Sequence, residues 1–299
     1  MKLKALSVKD KGIFNKFLGK SRHELSVYAF ENTYIWKGLF DIYWSVVEDS
    51  LCIFFKDKIG CFLYLAPLSG QKNPEVIKKV FAAMDRCNKN KEISRIENIP
   101  QADTPFYEDL GYACQNKSYD YICKRSDLAN LTGNKFKSKR AGFNYFTKNY
   151  DFRYLPFSLR YRDECLGLYD SWAKERKINN QDSIYQGMLE DSRIALKNAL
   201  DNYSDLNFIG RVIRIGRKIK AFTFGFKLNK DTFCILYEIT DLSIKGLAQF
   251  IFRRFSSELE GYKYINIMDD SGLENLKKVK LSYQPAKLIP AYIAKRKNA

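Results

Sequence analysis

Two apolar stretches in the second half of the chain decide the fold: TFCILYE at Thr232–Glu238 and YINIM at Tyr264–Met268. Both are short apolar runs of the length expected for strands buried in a sheet. The segment between them, Ile244–Leu259, is predicted to be a helix. This strand, helix and strand predict two neighbouring parallel strands, whose carboxyl ends lie at one edge of a sheet.

The elements on either side of these stretches occur in the same order in the first half of the chain. In the second half, a hairpin precedes this strand–helix–strand segment, at Arg211–Ile215 with Lys220–Phe226. A helix and a strand follow it, at Leu273–Val279 and Leu288–Ala294. The first half has the hairpin, helix, strand, helix and strand at Leu51–Phe55, Gly60–Pro67, Pro74–Asn88, Ser94–Ile99, Thr104–Leu110 and Tyr119–Cys123. The repeat is one of architecture, because few residues are identical between the halves.

This order of elements is the layout of the acyltransferase fold that binds acetyl-CoA. We therefore predict an α/β (α+β) protein with two tandem acetyltransferase-like (GNAT-like) domains, each a mixed sheet flanked by helices. The turn and cap residues of Asp127–Asn134 place the boundary between residues 1–130 and residues 131–299. In the second half, Ser243–Ala248 is the candidate ligand loop of this fold. The equivalent stretch of the first half, Ala66–Pro74, has no Gly-x-Gly/Ala, so the N-terminal domain is predicted to be non-catalytic.

Composition restricts the cellular setting and the chemistry. No apolar run approaches the ~20 residues of a membrane span, and no signal-peptide pattern is present, which predicts a soluble cytoplasmic protein. The seven cysteines include no Cys-x-x-Cys pair and are expected to be core thiols, so no metal is expected. With His23 as the only histidine, histidine-based triads are disfavoured, and proton transfer would use a carboxylate, Lys, Tyr, a ligand group or water.

The net charge of +17, from 51 Lys plus Arg against 34 Asp plus Glu, favours a polyanionic partner such as RNA or an anionic membrane surface. A generally basic proteome is the alternative explanation. The densest cluster of cations is Lys135, Lys137, Lys139, Arg140, Lys148, Arg153, Arg160 and Arg162. The aromatic residues Phe136, Phe143, Phe146 and Tyr150 have helical spacing here and should pack the helix onto the protein, which leaves the cations for phosphate contacts.

The candidate site lies beyond the carboxyl ends of the two parallel strands. Glu238 ends the first, and Asp269 with Asp270 follows the second, so carboxylates are expected at one rim. Helix capping is an equally good explanation for the two aspartates. Lys245 and Gly246 precede the helix, where free backbone N–H groups can bind an anion, although Gly246 also fits a role in close packing.

A family resemblance rests on four stretches of the chain. The closing stretch is Tyr264-Ile265-Asn266-Ile267-Met268-Asp269-Asp270-Ser271-Gly272-Leu273, continuing from Leu276 to Pro285. The others are Tyr119–Phe146 with Lys139-Arg140, Tyr28–Trp36, and Phe222-Thr223-Phe224-Gly225 with Glu238 and Lys245-Gly246. Together they resemble the phosphatidylglycerol lysyltransferase C-terminal-domain-like family. Ile267-Met268 stands where the family usually has Arg-Glu, and Ala141 where it often has Asn, while Glu238, Asp270, Lys280 and Tyr283 are retained.

The resemblance implies an enzyme that moves an amino acid from aminoacyl-tRNA to a lipid or an amine, at the cytoplasmic side of the inner membrane if the acceptor is a lipid. The aminoacyl ester is already activated, so no cofactor is expected. Glu238, Asp270 and Tyr283 are the predicted catalytic residues. The predicted substrate-binding residues are Lys139, Arg140, Lys245, Gly246, Gln249, Asn266, Asp269 and Lys280. Two alternatives remain open: an acyl-CoA N-acyltransferase that binds acetyl-CoA at Ser243–Ala248, and a non-catalytic module that binds RNA or an anionic membrane surface.

Overall fold

The computed structural model describes residues Met1–Lys297 and divides into two compact units. Unit 1 contains Met1–Asp120, the loop Asp269–Gly272 and the chain from Leu288 onward, and unit 2 contains Tyr121–Met268 and Leu273–Lys287. The change of unit at Asp120 differs from the predicted boundary at residue 130. The last strand also belongs with the N-terminal unit, although its place in the sequence assigned it to the C-terminal domain.

Unit 1 is a mixed sheet with helices. Its strands are β1 (Lys4–Ala5), β2 (Asp41–Val47), β3 (Ser50–Lys56), β4 (Cys61–Leu63), β5 (Ile96–Pro100) and β12 (Lys287–Arg296), and β6 (Tyr112–Lys124) begins here and ends in unit 2. Its helices are α1 (Lys11–Leu18), α2 (Phe30–Tyr34), α3 (Pro74–Cys87) and α4 (Thr104–Asp109). The strand order is β1-β2-β3-β4-β5-β12, in which only the β4–β5 pair is parallel.

Helix α3 shows why the sequence forms these elements. Asn73 accepts a hydrogen bond from the Glu75 backbone N–H at 2.9 Å, and Pro74 occupies the first helical turn, where a missing N–H is harmless. The buried residues of the helix recur with the spacing of one helical face: Val76, Ile77, Val80, Phe81 and Met84. They pack with strand residues such as Phe54 and Leu63 to form the core of unit 1.

Unit 2 repeats this plan and adds a helical hairpin. Its strands after β6 are β7 (Arg153–Pro156), β8 (Ile209–Ile215), β9 (Lys218–Lys227), β10 (Thr232–Thr240) and β11 (Tyr264–Asn266). Its helices are α5 (Arg125–Asn130), α6 (Lys137–Asn149), α7 (Arg162–Asn179), α8 (Ser183–Asp201), α9 (Leu247–Glu258) and α10 (Glu274–Leu281). The strand order is β6-β11-β10-β9-β8-β7, with β10 and β11 parallel as predicted.

Helices cover both faces of the unit 2 sheet. On one face α9 packs on β9 and β10, and Phe143 and Phe146 of α6 pack on Phe250 of α9. The predicted packing role of the aromatic residues in α6 is therefore confirmed. On the other face α7 packs on β9 and β10, and the Tyr169 hydroxyl of α7 donates to the Leu189 carbonyl of α8 at 2.8 Å. No helix in the described part of the chain is both long and apolar enough to cross a membrane.

Candidate functional site

Strands β10 and β11 separate soon after they pair. Their parallel register covers three residue pairs and ends with Cys234 opposite Asn266. The Asn266 side chain then accepts a hydrogen bond from the Met268 backbone N–H at 2.7 Å, and Met268 has a φ of +60°. This turn directs the chain toward β6, where the Ile267 N–H donates to the Tyr121 carbonyl at 3.0 Å. Strand β10 continues to Thr240 along β9, so the two parallel strands diverge at this end of the sheet.

A β-bulge in β10 determines where Glu238 points. Ile235 lies opposite Gly225 and Tyr237 lies opposite Phe224, so one extra residue is inserted in β10. After the bulge, the Tyr237 hydroxyl donates to the Ser192 carbonyl of α8 at 2.9 Å. Because side chains alternate along a strand, Glu238 points to the opposite face, toward α6 and α9. Gly225 is required opposite the bulge, since a Cβ there would lie 1.9 Å from the Cys234 carbonyl oxygen.

Glu238, Lys139 and Tyr283 form a cluster on this face. The Oε2 atom of Glu238 is shielded from solvent and has no hydrogen-bond partner in the described part of the chain. The Nζ atom of Lys139, which lies on α6, is 4.1 Å from the centre of the Tyr283 ring. The Tyr283 ring is buried against Phe252 of α9, with 4.4 Å between the ring centres. Three residues predicted from separate motifs are thus brought together.

The electrostatics of the cluster favour proton transfer near neutral pH. Burial raises the pKa of Glu238 to about 8, and the positive charge of Lys139 only partly opposes this. Burial lowers the pKa of Lys139, against the effect of Glu238. Burial, together with the charge of Glu238, raises the pKa of Tyr283. The pKa values of a carboxyl and an amine are displaced toward each other, as in sites where protons are exchanged.

Three other predicted substrate-binding residues of unit 2 form hydrogen bonds with backbone groups: Lys280, Arg140 and Asn266. Lys280 is buried, and its Nζ donates to the Ile267 carbonyl just beyond β11. The Arg140 guanidinium donates to the Leu131 carbonyl and, at 2.6 Å, to the Gly133 carbonyl. These two cations position the end of β11 and the loop before α6. Asn266 is also buried, where it forms the turn that separates the strands.

Gly246 is a packing residue in this structure. It precedes α9 with a φ of +84°, and a Cβ at this position would lie 2.1 Å from the Gly142 carbonyl oxygen of α6. The close approach of α6 and α9 therefore requires a glycine here, which was the alternative explanation from the sequence. The Gln249 side chain lies against Gly142, while Lys245 is exposed, with its Nζ 4.6 Å from the centre of the Tyr145 ring.

Asp269 and Asp270 belong to unit 1, whereas Glu238 belongs to unit 2. The Asp270 carboxylate accepts a hydrogen bond from the Gly272 backbone N–H at 3.0 Å, and α10 begins two residues later without a side-chain cap. The predicted catalytic role of Asp270 stays a prediction. In the same unit burial raises the pKa of Tyr64, and the charges of Glu97, Asp269 and Asp120 add to this effect.

Sequence reasoning found the cluster residues but missed the feature that orients Glu238. A regular β10 would direct Glu238 and Tyr237 to the other faces. The available signal was Gly225 inside an otherwise apolar strand, a position that often marks a bulge or a close backbone approach. As for metals, no group of three His, Cys, Asp or Glu side chains suited to binding an ion occurs among residues 1–297.

The sequence and the fold of this chain are similar to those of known proteins. The family model described as phosphatidylglycerol lysyltransferase, C-terminal, matches residues 20–295, and the chain therefore belongs to that family. Among curated proteins, no sequence matches this chain significantly. A conserved protein of unknown function from Bacteroides thetaiotaomicron VPI-5482 is 30% identical, with a TM-score of 0.88 over 99% of this chain and 100% of that one.

Two further solved structures define the architecture. The structure of L-PGS from Bacillus licheniformis is 19% identical and has a TM-score of 0.67, covering 97% of this chain and 93% of that one. A tandem GNAT protein from the clavulanic acid biosynthesis pathway is 7% identical and has a TM-score of 0.55, covering 100% and 99% of the two chains. At these identities the likeness concerns the fold, and it confirms the predicted tandem acetyltransferase-like fold class.

Proposed function

We propose that this protein is an aminoacyltransferase that moves an amino acid from aminoacyl-tRNA to the amine or hydroxyl of an acceptor, with Glu238 as the general base. The observation that carries the proposal is the Glu238 carboxylate. Its Oε2 atom is buried without a hydrogen-bond partner among residues 1–297, and its pKa is raised to about 8. A base with a pKa near the working pH transfers protons efficiently in both directions.

The proposed reaction needs one proton acceptor and no external activation. The acceptor N–H or O–H attacks the ester carbonyl carbon that joins the amino acid to the terminal ribose of the tRNA. Glu238 takes the proton of the nucleophile as the new C–N or C–O bond forms. The tetrahedral intermediate then collapses, the ester C–O bond to the ribose breaks, and Glu238 returns the proton to the ribose oxygen. Atoms and charge balance, and no cofactor is required.

Lys139 and Tyr283 have supporting roles in this proposal. The Lys139 ammonium favours the ionised form of Glu238, which would otherwise be even harder to deprotonate in its half-buried position. The Tyr283 ring holds the Lys139 Nζ at 4.1 Å from its centre, so that the cation stays at the cluster. Lys139 is also half-buried, which strengthens its electrostatic effect relative to an exposed lysine.

The family and the charge support the proposed donor and acceptor classes. A net charge of +17 suits a tRNA donor, and the exposed Lys137 and Lys148 of α6 lie on the same helix as Lys139. The family is named for a phospholipid acceptor, phosphatidylglycerol. An acceptor of this class would require the protein to reach an anionic membrane surface. The acyl-CoA alternative receives less support, because the Gly142 carbonyl lies against Gly246 at the predicted cofactor loop.

The test is transfer of a labelled amino acid from a pool of charged tRNAs to phosphatidylglycerol vesicles or to an amine acceptor. Glu238→Gln should lower the rate at least a hundredfold, in line with the usual effect of losing a general base, about 10²–10⁴-fold. The matched control is Glu260→Gln, the same change at an exposed position of unit 2, which should retain full activity. The wild-type rate should rise with pH as Glu238 ionises, with its midpoint near pH 8 and a plateau at higher pH.

Equal activity of Glu238→Gln and wild type would exclude Glu238 as the base. Transfer from acetyl-CoA, with none from any charged tRNA, would instead establish the acyl-CoA alternative.

A further inference from the structure

A polar pocket lies in unit 2 at the edge of its sheet. It has a volume of about 380 Å³ and is lined by Arg153, Leu155, Arg160, Tyr161, Glu164 and Arg214, which we call the arginine pocket. Three guanidinium groups and a single carboxylate face one cavity. That carboxylate already accepts a hydrogen bond, at 3.2 Å, from the Ile219 backbone N–H. The pocket therefore has an excess of positive charge and of N–H donors.

Two of the pocket arginines form a cross-strand pair of like charges, which is unfavourable in a sheet. Arg153 of β7 and Arg214 of β8 are directly opposite each other in the antiparallel register, where like charges are destabilising. The Nε atom of Arg214 is shielded from solvent and has no hydrogen-bond partner in the described residues. Arg153 forms no ion pair within residues 1–297. A local conflict of this kind is expected where a ligand supplies the missing charge and acceptor.

The pocket is separate from the Glu238 cluster. The neighbours of Arg214 along β8, Ile213 and Ile215, pack with the α9 core, so Arg214 points to the opposite face, where α7 begins. Glu238 points to the α6 and α9 face, and β10 and β7 are three strand spacings apart, about 14 Å. A ligand in the arginine pocket is therefore positioned away from the proposed proton transfer.

The side chains that line the arginine pocket are suited to binding a phosphate group. Guanidinium groups are planar and present paired N–H donors that match phosphate oxygens. Arg160 is held in place because its Nη2 donates to the Tyr161 hydroxyl at 2.6 Å. Two more exposed cations, Arg217 and Lys218, follow at the turn between β8 and β9, and the Arg217 carbonyl accepts from the Arg214 Nη2 at 3.1 Å. Positive charge thus continues from the pocket along the sheet edge, as a polyanionic strand requires.

We propose that the arginine pocket binds a backbone phosphate of an RNA strand, with Arg217 and Lys218 contacting its neighbouring phosphates. A concave pocket fits a phosphodiester that projects from a curved backbone, whereas a planar bilayer would press against protruding side chains. The contacts position the RNA and carry no base specificity. The identification of that RNA as the donor tRNA rests on the proposed function, whereas the phosphate site itself does not.

The test measures binding of deacylated tRNA by fluorescence anisotropy over a range of NaCl concentrations. The double variant Arg153→Gln/Arg214→Gln should raise Kd about tenfold, equivalent to ~1.4 kcal/mol. It should also reduce the slope of log K against log salt by ~0.7–0.9, because the pocket binds one phosphate and each neutralised phosphate contributes that amount. The matched control is Lys227→Gln/Lys230→Gln, which removes the same charge at the far end of β9 and should leave the slope unchanged.

Arg214→Lys tests the geometry without loss of charge. It keeps the cation but loses the planar donors, so it should weaken tRNA binding about threefold with an unchanged circular dichroism spectrum and unchanged melting. Equal weakening by the two double variants would overturn the proposal, because binding would then depend on net charge alone. Loss of binding to phosphatidylglycerol vesicles with unchanged tRNA binding would also overturn it, in favour of a lipid site.

The experiment is independent of catalysis, since deacylated tRNA cannot be turned over. An inactive wild-type protein that still shows the predicted slope change would retain the phosphate site and refute only the transferase proposal. An active enzyme whose tRNA binding is unaffected by Arg153→Gln/Arg214→Gln would refute only the arginine pocket.

Discussion

The ionised side chain of Glu238 lowers the stability of the folded protein. A carboxylate whose Oε2 is shielded and unpartnered in the described structure is poorly compensated when ionised, and Lys139 offsets only part of the cost. Nothing in the fold itself requires an acid here, because β10 is otherwise apolar on this side, with Phe233 and Ile235 in the core. A residue that lowers the stability of the fold in this way is typically one that the function requires.

The raised pKa of Glu238 predicts that the stability of the protein falls as the pH rises. The pKa of Glu238 is about 8 in the folded state and 4.5 without the protein environment, so the folded state binds the proton more tightly between these pH values. The contribution of Glu238 to stability is therefore fully present below pH 4.5 and is lost as pH rises to 8. Glu238→Gln, which cannot ionise, should match the wild type at pH 5 and exceed it at pH 9 by ~1–3 kcal/mol.

Urea unfolding at the two pH values measures this difference. The control, Glu260→Gln, removes an exposed carboxylate and should leave the difference in unfolding free energy between pH 5 and pH 9 unchanged. A Glu238→Gln variant that is less stable than the wild type at pH 9 would show that the ionised carboxylate is well solvated or paired. The same substitution should thus stabilise the protein at high pH and abolish its transfer activity.

At the scale of elements, the sequence predicted those features that depend on local pattern. The hairpins, α3, α9 and the parallel pair β10–β11 were predicted within a few residues of their observed bounds, because apolar runs and turn residues define them. The end of β11 was predicted too late, at Met268. Asn266 ends the strand by bonding the Met268 N–H, and this turn depends on the direction of the next residues rather than on apolar character.

The sequence alone left two explanations for Gly246, ligand binding and close packing. The position of Gly246 at the α6–α9 contact gives a prediction that separates them. Gly246→Ala should destabilise the protein by about 2–4 kcal/mol, because a Cβ would lie 2.1 Å from the Gly142 carbonyl oxygen and φ is +84°. The matched control is Gly142→Ala on the facing helix. Its Cβ would meet only the flexible end of Gln249, at 2.9 Å, so the change should cost less than about 1 kcal/mol.

Thermal unfolding of both variants provides the measurement. Near-equal melting temperatures for Gly246→Ala and the wild type would rule out the packing role. A loss of tRNA or acetyl-CoA binding without a loss of stability would then support a ligand-binding role for Gly246.

At the scale of the whole molecule, sequence order is a poor guide to strand order. The last strand, β12, was predicted as an element but assigned to residues 131–299, whereas it pairs with β5 of unit 1, with Ala291 opposite Pro100. No local property of residues 287–296 specifies this partner, because the pairing spans almost 200 residues of sequence. Ala294 is fully buried in the unit 1 core, and Arg296 forms a two-point ion pair with Asp85 at 2.6 and 2.9 Å.

Residues 1–130 should therefore not fold alone. Without β12, strand β5 loses its antiparallel partner, and the core loses Ala294 and the packing of Tyr292. The amide NMR spectrum of this fragment should be poorly dispersed, and a synthetic peptide of residues 285–297 should restore dispersion. A peptide with Ala294→Asp should fail, because it would bury an unpaired carboxylate, whereas one with Leu288→Asp should succeed, because Leu288 is 46% exposed. A cooperative melt of residues 1–130 without any peptide would show that the N-terminal unit does not depend on its distant strand.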